Sequence, residues 1–209
     1  MTVLCTLNDF GTLLCFYLLN YWLCLLLYVD NNVQFGPHIS HNVSKAALRA
    51  RLILKCYESR DPGLLTRVFC TFVRPILEYC SVVRSPMLKR HIHKIKTVQQ
   101  RFTKRLNGLC NLSYSWRLAR LGLDSLYCRR VKSDLIMCYK VLHNMVSIDC
   151  NALFQRLQVS HTRRNSMKLS KRHISSSRDG HFFANRVINI WSSLPDHSVA
   201  SHSVACFIT

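Results

Sequence analysis

Acid is what this chain most lacks. Ten Asp and Glu residues are scattered through 209 positions against 29 Lys and Arg, and no two acids are adjacent. Two-metal phosphoryl transfer needs clustered carboxylates to hold its ions, so no catalytic residue for polymerase chemistry is expected here. Glycine is scarce at six residues, which removes phosphate-cradling loops and the nucleophile elbow with its oxyanion glycines. No C-x-x-C pair occurs, and His91-x-His93 has no Cys or carboxylate at ligand spacing. Neither a metal site nor a cofactor is expected. The first 29 residues contain no Lys or Arg.

What is present is positive charge. The formal net charge is +19, and every base falls after residue 29. A field of that sign and density favours polyanions, and the two candidates are nucleic acid and an anionic membrane surface. The length suits one domain with a real core. Eleven cysteines, an odd number, sit mostly at apolar positions of helical patterns, at 56, 70, 80, 110, 128, 138 and 150. They read as buried free thiols in a reducing compartment rather than as a disulfide framework.

Composition divides the chain into an apolar leader or transmembrane helix (1–29), a basic helical domain (30–158), a basic flexible loop (159–181) and a C-terminal helix and tail (182–209). Phe10 to Val29 is an uncharged run of 20 residues, about the length a helix needs to cross ~30 Å of hydrocarbon. If it spans, the positive-inside rule puts the amino terminus outside and the basic domain in the cytoplasm. An accidental leader read from T-rich DNA gives the same composition, so both origins stay open. A chain without a span would be cytoplasmic or nuclear.

From Val43 the pattern turns amphipathic. Val43, Ala47, Ala50, Leu54 and Tyr57 step by four and three, with Lys45, Arg49, Arg51 and Lys55 between them, which predicts a helix with one buried stripe. Asp61-Pro62 supplies an N-cap and a proline at the first helical position for a second helix, and Pro75 is expected to kink or break it near Phe72. Ser85-Pro86 starts a third, with Ile92, Ile95, Val98, Phe102 and Leu106 inward. After a turn at Asn107-Gly108 and a short helix near Trp116, a fourth long helix places Tyr127, Val131, Leu135, Cys138, Leu142 and Met145 inward and Arg129, Arg130, Lys132 and Lys140 outside. Residues 161–180 are polar, basic and Ser-rich, hence a loop or tether. Phe182 to Leu194 restores a helix, stopped by Pro195. Strand alternation is hard to find anywhere. The fold is therefore read as all-α, an irregular bundle of about four to six helices.

Several blocks resemble the region that follows the palm of non-LTR (LINE-type, jockey-like) retrotransposon reverse transcriptases. RVFCTFVRPILEYCSVVRSP is similar to the family's LVRPILEYxSxVWxP, and KIKTVQQRFTKRLNGLCNLSYSWRLARLGLDSL to its VQRRFTRRIxGLxxLSYxERLxxLxLxSL. YCRRVKSDLIMCYKVLHNMVSID resembles YRRxRxDLIxxYKIxHGxxDID, and FFANRVINIWSSLP resembles FFxxRVIxxWNSLP. With the stretch around HISHNVSKA, the likeness runs from about Val29 to Ala205. Departures are Arg84 for Trp, Trp116 for an acid, Asn144 for Gly, Arg164-Asn165 for Gly-His, and the terminal VACFIT. They read as drift or reading-frame damage.

The resemblance implies a fragment of an RNA-directed DNA polymerase whose catalytic palm lies outside this stretch. Its implied partners are the backbone of RNA or DNA and a reverse transcriptase palm domain. Lys94, Arg101, Lys104 and Arg105 form the expected electrostatic stripe, opposed by no acid on their helix, with Lys171 and Arg172 in the basic loop as further candidates. Tyr114 and Trp116 are read as core or helix-edge packing rather than base-stacking platforms. Two other readings stay open. One is a single-pass membrane protein with its basic domain against anionic lipid, and the other is a mobile-element relic without selected activity.

Overall fold

A computed structural model describes residues 35–86, 88–157, 167–171 and 182–208. The apolar run 10–29, most of the 159–181 loop and Arg172 lie outside the described residues. Among the described residues the fold is all-α. Ten helices accompany one antiparallel pair of two-residue strands. Six of the helices run eight residues or more: α1 (Gly36–Cys56), α2 (Pro62–Phe72), α4 (Lys89–Lys104), α5 (Tyr114–Leu121), α6 (Leu126–Leu142) and α8 (Phe183–Ser193). Single turns make up the rest: α3 (Arg74–Glu78), α7 (Cys150–Leu153), α9 (Asp196–Val199) and α10 (Val204–Ile208). None of the described helices is long and apolar enough to cross a membrane.

The described residues pack as two compact units, 35–79 with 88–126, and 80–86 with 127–157, 167–171 and 182–208. The stretch 30–158, one domain by composition, thus contributes to both. In the first unit the Asp61 carboxylate accepts the Leu64 amide at 2.6 Å and caps α2, with Pro62 at its first position, as the sequence pattern requires. Pro75 breaks the helix outright. It has no N–H for the carbonyl four residues back, α2 stops at Phe72, and α3 restarts at Arg74. At the end of α2 the Phe72 carbonyl accepts from the Arg49 guanidinium of α1 at 3.3 Å.

The apolar stripe on α1 is rotated from the one expected. The buried positions are His38, Ile39, Asn42, Ala46, Ala50 and Ile53, whereas Val43, Ala47, Leu54 and Tyr57 are half-covered. Helix α4 begins at Lys89, not at Ser85-Pro86, and buries Ile95, Val98 and Phe102, with Phe102 stacked on Phe69 of α2 at 4.5 Å. It also buries Gln99 and Thr103, each wholly covered. Their polar atoms are matched. The Tyr114 hydroxyl donates to Gln99 Oε1 at 2.9 Å, Gln99 Nε2 donates to the Asp124 carbonyl at 3.3 Å, and Arg117 Nε donates to Thr103 Oγ1 at 3.2 Å.

The second unit has an aromatic core. Trp191 and Tyr139 are wholly buried and Phe154 nearly so. Trp191 Nε1 donates to the Met167 carbonyl at 2.9 Å, and Tyr139 stacks between His143 at 4.1 Å and Phe207 at 4.7 Å. Strands β1 (Gln155–Arg156) and β2 (Leu169–Ser170) pair in the register Gln155 to Ser170. The stretch read as a loop therefore holds a short strand, because Leu169 is buried in this core.

Several side chains on α6 and some thiols lie differently from the sequence reading. Tyr127 and Met145 are 63% and 48% exposed, and Arg130 is buried. Both misplaced apolar residues stand at the ends of α6, Tyr127 in its first turn and Met145 beyond its last residue. Of the cysteines expected to be buried, Cys138 and Cys150 are; Cys70, Cys80 and Cys128 are half-covered, and Cys56 and Cys110 are exposed. Burial, with smaller contributions from Cys150 and Asp134, pushes the Cys138 thiol far above its usual range, so it acts as an inert core residue.

Candidate nucleic-acid interface

Helix α4 collects the charge. No Asp or Glu stands between Glu78 and Asp124, so the helix has no acid of its own and none on either flanking segment. Its inward arc is fixed by Ile95, Val98, Gln99, Phe102 and Thr103, which forces Lys94, Lys96, Arg101, Lys104 and the C-capping Arg105 to the exposed side.

Three of the four stripe residues line one feature. A groove of about 500 Å³ runs between α1 and α4, and Lys94, Arg101 and Arg105 lie along its α4 side. At about 1.5 Å rise per residue these three span roughly 16 Å of helix. Lys104 is exposed on α4 but does not line the groove. Arg51 of α1 joins them, with His93 and Thr97. The remaining lining is apolar: Val43, Ala47, Ala50 and Leu54 from α1, Val98 and Phe102 from α4.

Sequence reasoning passed over Arg51 as a site residue, although the signal is there. It follows Ala47 by four and precedes Leu54 by three, so it stands on the same helical face as the half-covered stripe. Val43, Ala47 and Leu54, half-covered and packed against the core, line the groove together with the buried Ala50.

The cations at the groove are available to an outside anion. Among the described residues the side chains of Arg51, Arg101, Lys104 and Arg105 make no hydrogen bond or ion pair, and the Lys94 ammonium makes only a long 3.5 Å contact with Ser40 Oγ. Lys96 is committed elsewhere, 5.3 Å over the Tyr114 ring. At the amino end of α4, His91 is buried beside Arg90 and Lys94, and burial first, then those two cations, lowers its pKa below the ordinary 6.5. It is therefore neutral near neutral pH. Gly36 packs on it, where an added Cβ would stand 3.3 Å from His91 Cε1.

The two aromatic candidates separate. Tyr114 is packing, as expected, and burial raises its pKa to about 12 against a smaller opposing effect of Arg117. Trp116 departs from that reading, since it is 70% exposed on the first turn of α5. Lys171 is exposed in the second unit, next to β2. Among the described residues there is no group of three His, Cys, Asp or Glu side chains able to hold a metal ion.

No protein-family model matches the chain, and no solved structure does. Over 124 residues it is 27% identical to an uncharacterized protein of Caenorhabditis elegans, a match that covers 58% of this chain and 61% of the worm protein.

Proposed function

We propose that this chain is a nucleic-acid-binding helical module of the kind that follows the palm in non-LTR retrotransposon reverse transcriptases, and that it grips phosphate backbone through α4. The observation that carries this reading is the acid-free cationic face of α4, whose arginines have no internal partner and whose neighbour Arg51 extends the same field across a groove. Its task is binding. Polymerisation would need a palm supplied from elsewhere, on the same polypeptide or another.

The places where the sequence departs from the reverse transcriptase pattern also support it. Where the pattern has Gly, Asn144 has φ 54°, the left-handed region that Gly, and after it Asn, adopts most readily. There the Asn144 amide donates to the Val141 carbonyl and the Met145 amide to the Lys140 carbonyl, a Schellman closure of α6. Where the pattern has an acid, Trp116 stands three residues after the N-cap Ser113, whose hydroxyl accepts the Trp116 amide at 3.4 Å. An acid at that position would complete a capping box. Where the pattern has Trp, Arg84 is 2% exposed, so the position calls for a large side chain under cover.

A filter-binding titration across salt concentrations tests the reading. Each lost phosphate contact should flatten the plot of log K against log salt by roughly 0.7 to 0.9. The Lys94→Ala, Arg101→Ala, Lys104→Ala, Arg105→Ala quadruple variant is expected to bind single-stranded RNA and DNA more weakly with a slope smaller by roughly two to four. Wild-type affinity and slope in that variant would remove α4 from the interface.

A further inference from the structure

The groove has a property that phosphate binding alone does not use: its floor is apolar. We infer that it is a single-strand site, in which Arg51, Lys94, Arg101 and Arg105 hold phosphates while an unpaired base lies on the aliphatic floor of Val43, Ala47 and Leu54. This deepens the proposed function and rests on it.

The chemistry of the lining selects the ligand. A duplex presents a convex, wholly polar face with its bases stacked inside, so it would satisfy the cations and leave the floor uncovered. A single strand offers both halves at once, anionic phosphates and flat bases with apolar faces. Three of the four cations are arginines, whose planar guanidinium groups stack on bases as well as forking onto phosphate oxygens. An acidic amphipathic helix is the competing occupant. It would need cations only at the groove edges, whereas Lys89, Arg90 and Lys104 continue the positive surface of α4 around and beyond the groove. That extended field suits a backbone running across the helix.

Fluorescence anisotropy of the full chain with three probes of equal phosphate number decides it: oligouridine, the same backbone with abasic sites, and a hairpin duplex. Oligouridine is expected to bind roughly tenfold tighter than the abasic strand. Ala47→Leu fills the floor without touching charge, and should bring that ratio close to one while the salt slope stays as in wild type. Equal wild-type affinity for the oligouridine and abasic strands overturns the proposal, as does tighter binding of the duplex. So does displacement of the strand by a Glu/Leu amphipathic peptide from wild type but not from Ala47→Leu, which would assign the floor to a helix.

Photocrosslinking of a 5-iodouridine strand to the unaltered chain gives a readout independent of any variant. Adducts are expected within residues 43–54 or 97–102, and adducts confined to other segments overturn the assignment. Failure to bind any of the nucleic-acid probes removes the phosphate-binding reading itself. Binding without preference between bases and abasic sites removes only the base site.

Discussion

Arg117 in the first unit and Arg186 in the second are both largely covered, yet they are neutralised in opposite ways. Arg117 donates to Thr103 Oγ1 and to the Leu112 and Gln100 carbonyls, all uncharged. Arg186 forks onto Asp134, with Nε to Oδ2 at 2.8 Å and Nη2 to Oδ1 at 2.7 Å, and reaches the Val82 carbonyl as well. In the second unit an acid holds Arg186. The first uses neutral oxygens, and its few acids lie at helix ends and in loops, with none on α4. The helix itself therefore carries no acid to offset its cations. Arg186 is held by an ion pair inside its unit, whereas α4 of the first unit carries exposed cations without an acid of its own.

Asp134→Ala should sharpen this contrast most. It removes the carboxylate onto which the largely covered Arg186 guanidinium forks, at an expected cost of about 3 to 5 kcal/mol, while Asp134→Ala with Arg186→Met should recover much of that. Hydrogen exchange should locate the lost protection in α6 and α8, with α1 and α4 still protected; uniform loss would show that the units do not unfold separately.

On the binding side, the α4 quadruple variant should change the salt slope by several times more than Lys171→Ala in the second unit, which is expected to shift it by less than about one. Comparable effects from both would spread the interface over the whole chain. Thr103→Val removes the hydroxyl that accepts from Arg117, and denaturant titration should show a loss of about 1 to 3 kcal/mol, less than for Asp134→Ala because no bare charge pair is broken.

Acid should weaken the first unit through His91. Its folded pKa lies below 6.5, so the unfolded chain binds the extra proton first and stability falls as pH drops through and below about 6.5. Thermal melts of His91→Gln should show a shallower fall over that window than wild type. Last in size, Trp116→Glu should complete the capping box with Ser113 and stabilise α5 by about 0.5 to 1 kcal/mol, read from the melting temperature.

Local signals carried well where a single residue's chemistry decides the backbone. Asp61-Pro62, Pro75, the Asn107-Gly108 turn and the Pro195 stop all stand where the sequence places them, because caps, missing donors and left-handed residues act within a few positions. The exposure of the α4 cations was legible for the same reason, since Ile95, Val98 and Phe102 fix which face of an acid-free helix turns inward. Legibility failed where the partner decides. The floor of Val43, Ala47 and Leu54 looked like core, Arg51 looked like ordinary surface, and Arg130 looked exposed.

Composition and helical period alone determined that this protein is all-α, strongly cationic and poor in the acids that metal-dependent catalysis requires. Tertiary structure decided which apolar positions of α1 are buried and which line the groove, because the helix packed alongside sets what is covered and no local pattern records it. It likewise decided which arginines are neutralised inside, since a counterion reaches across from Asp134 to Arg186 over a distance in sequence that no local pattern records.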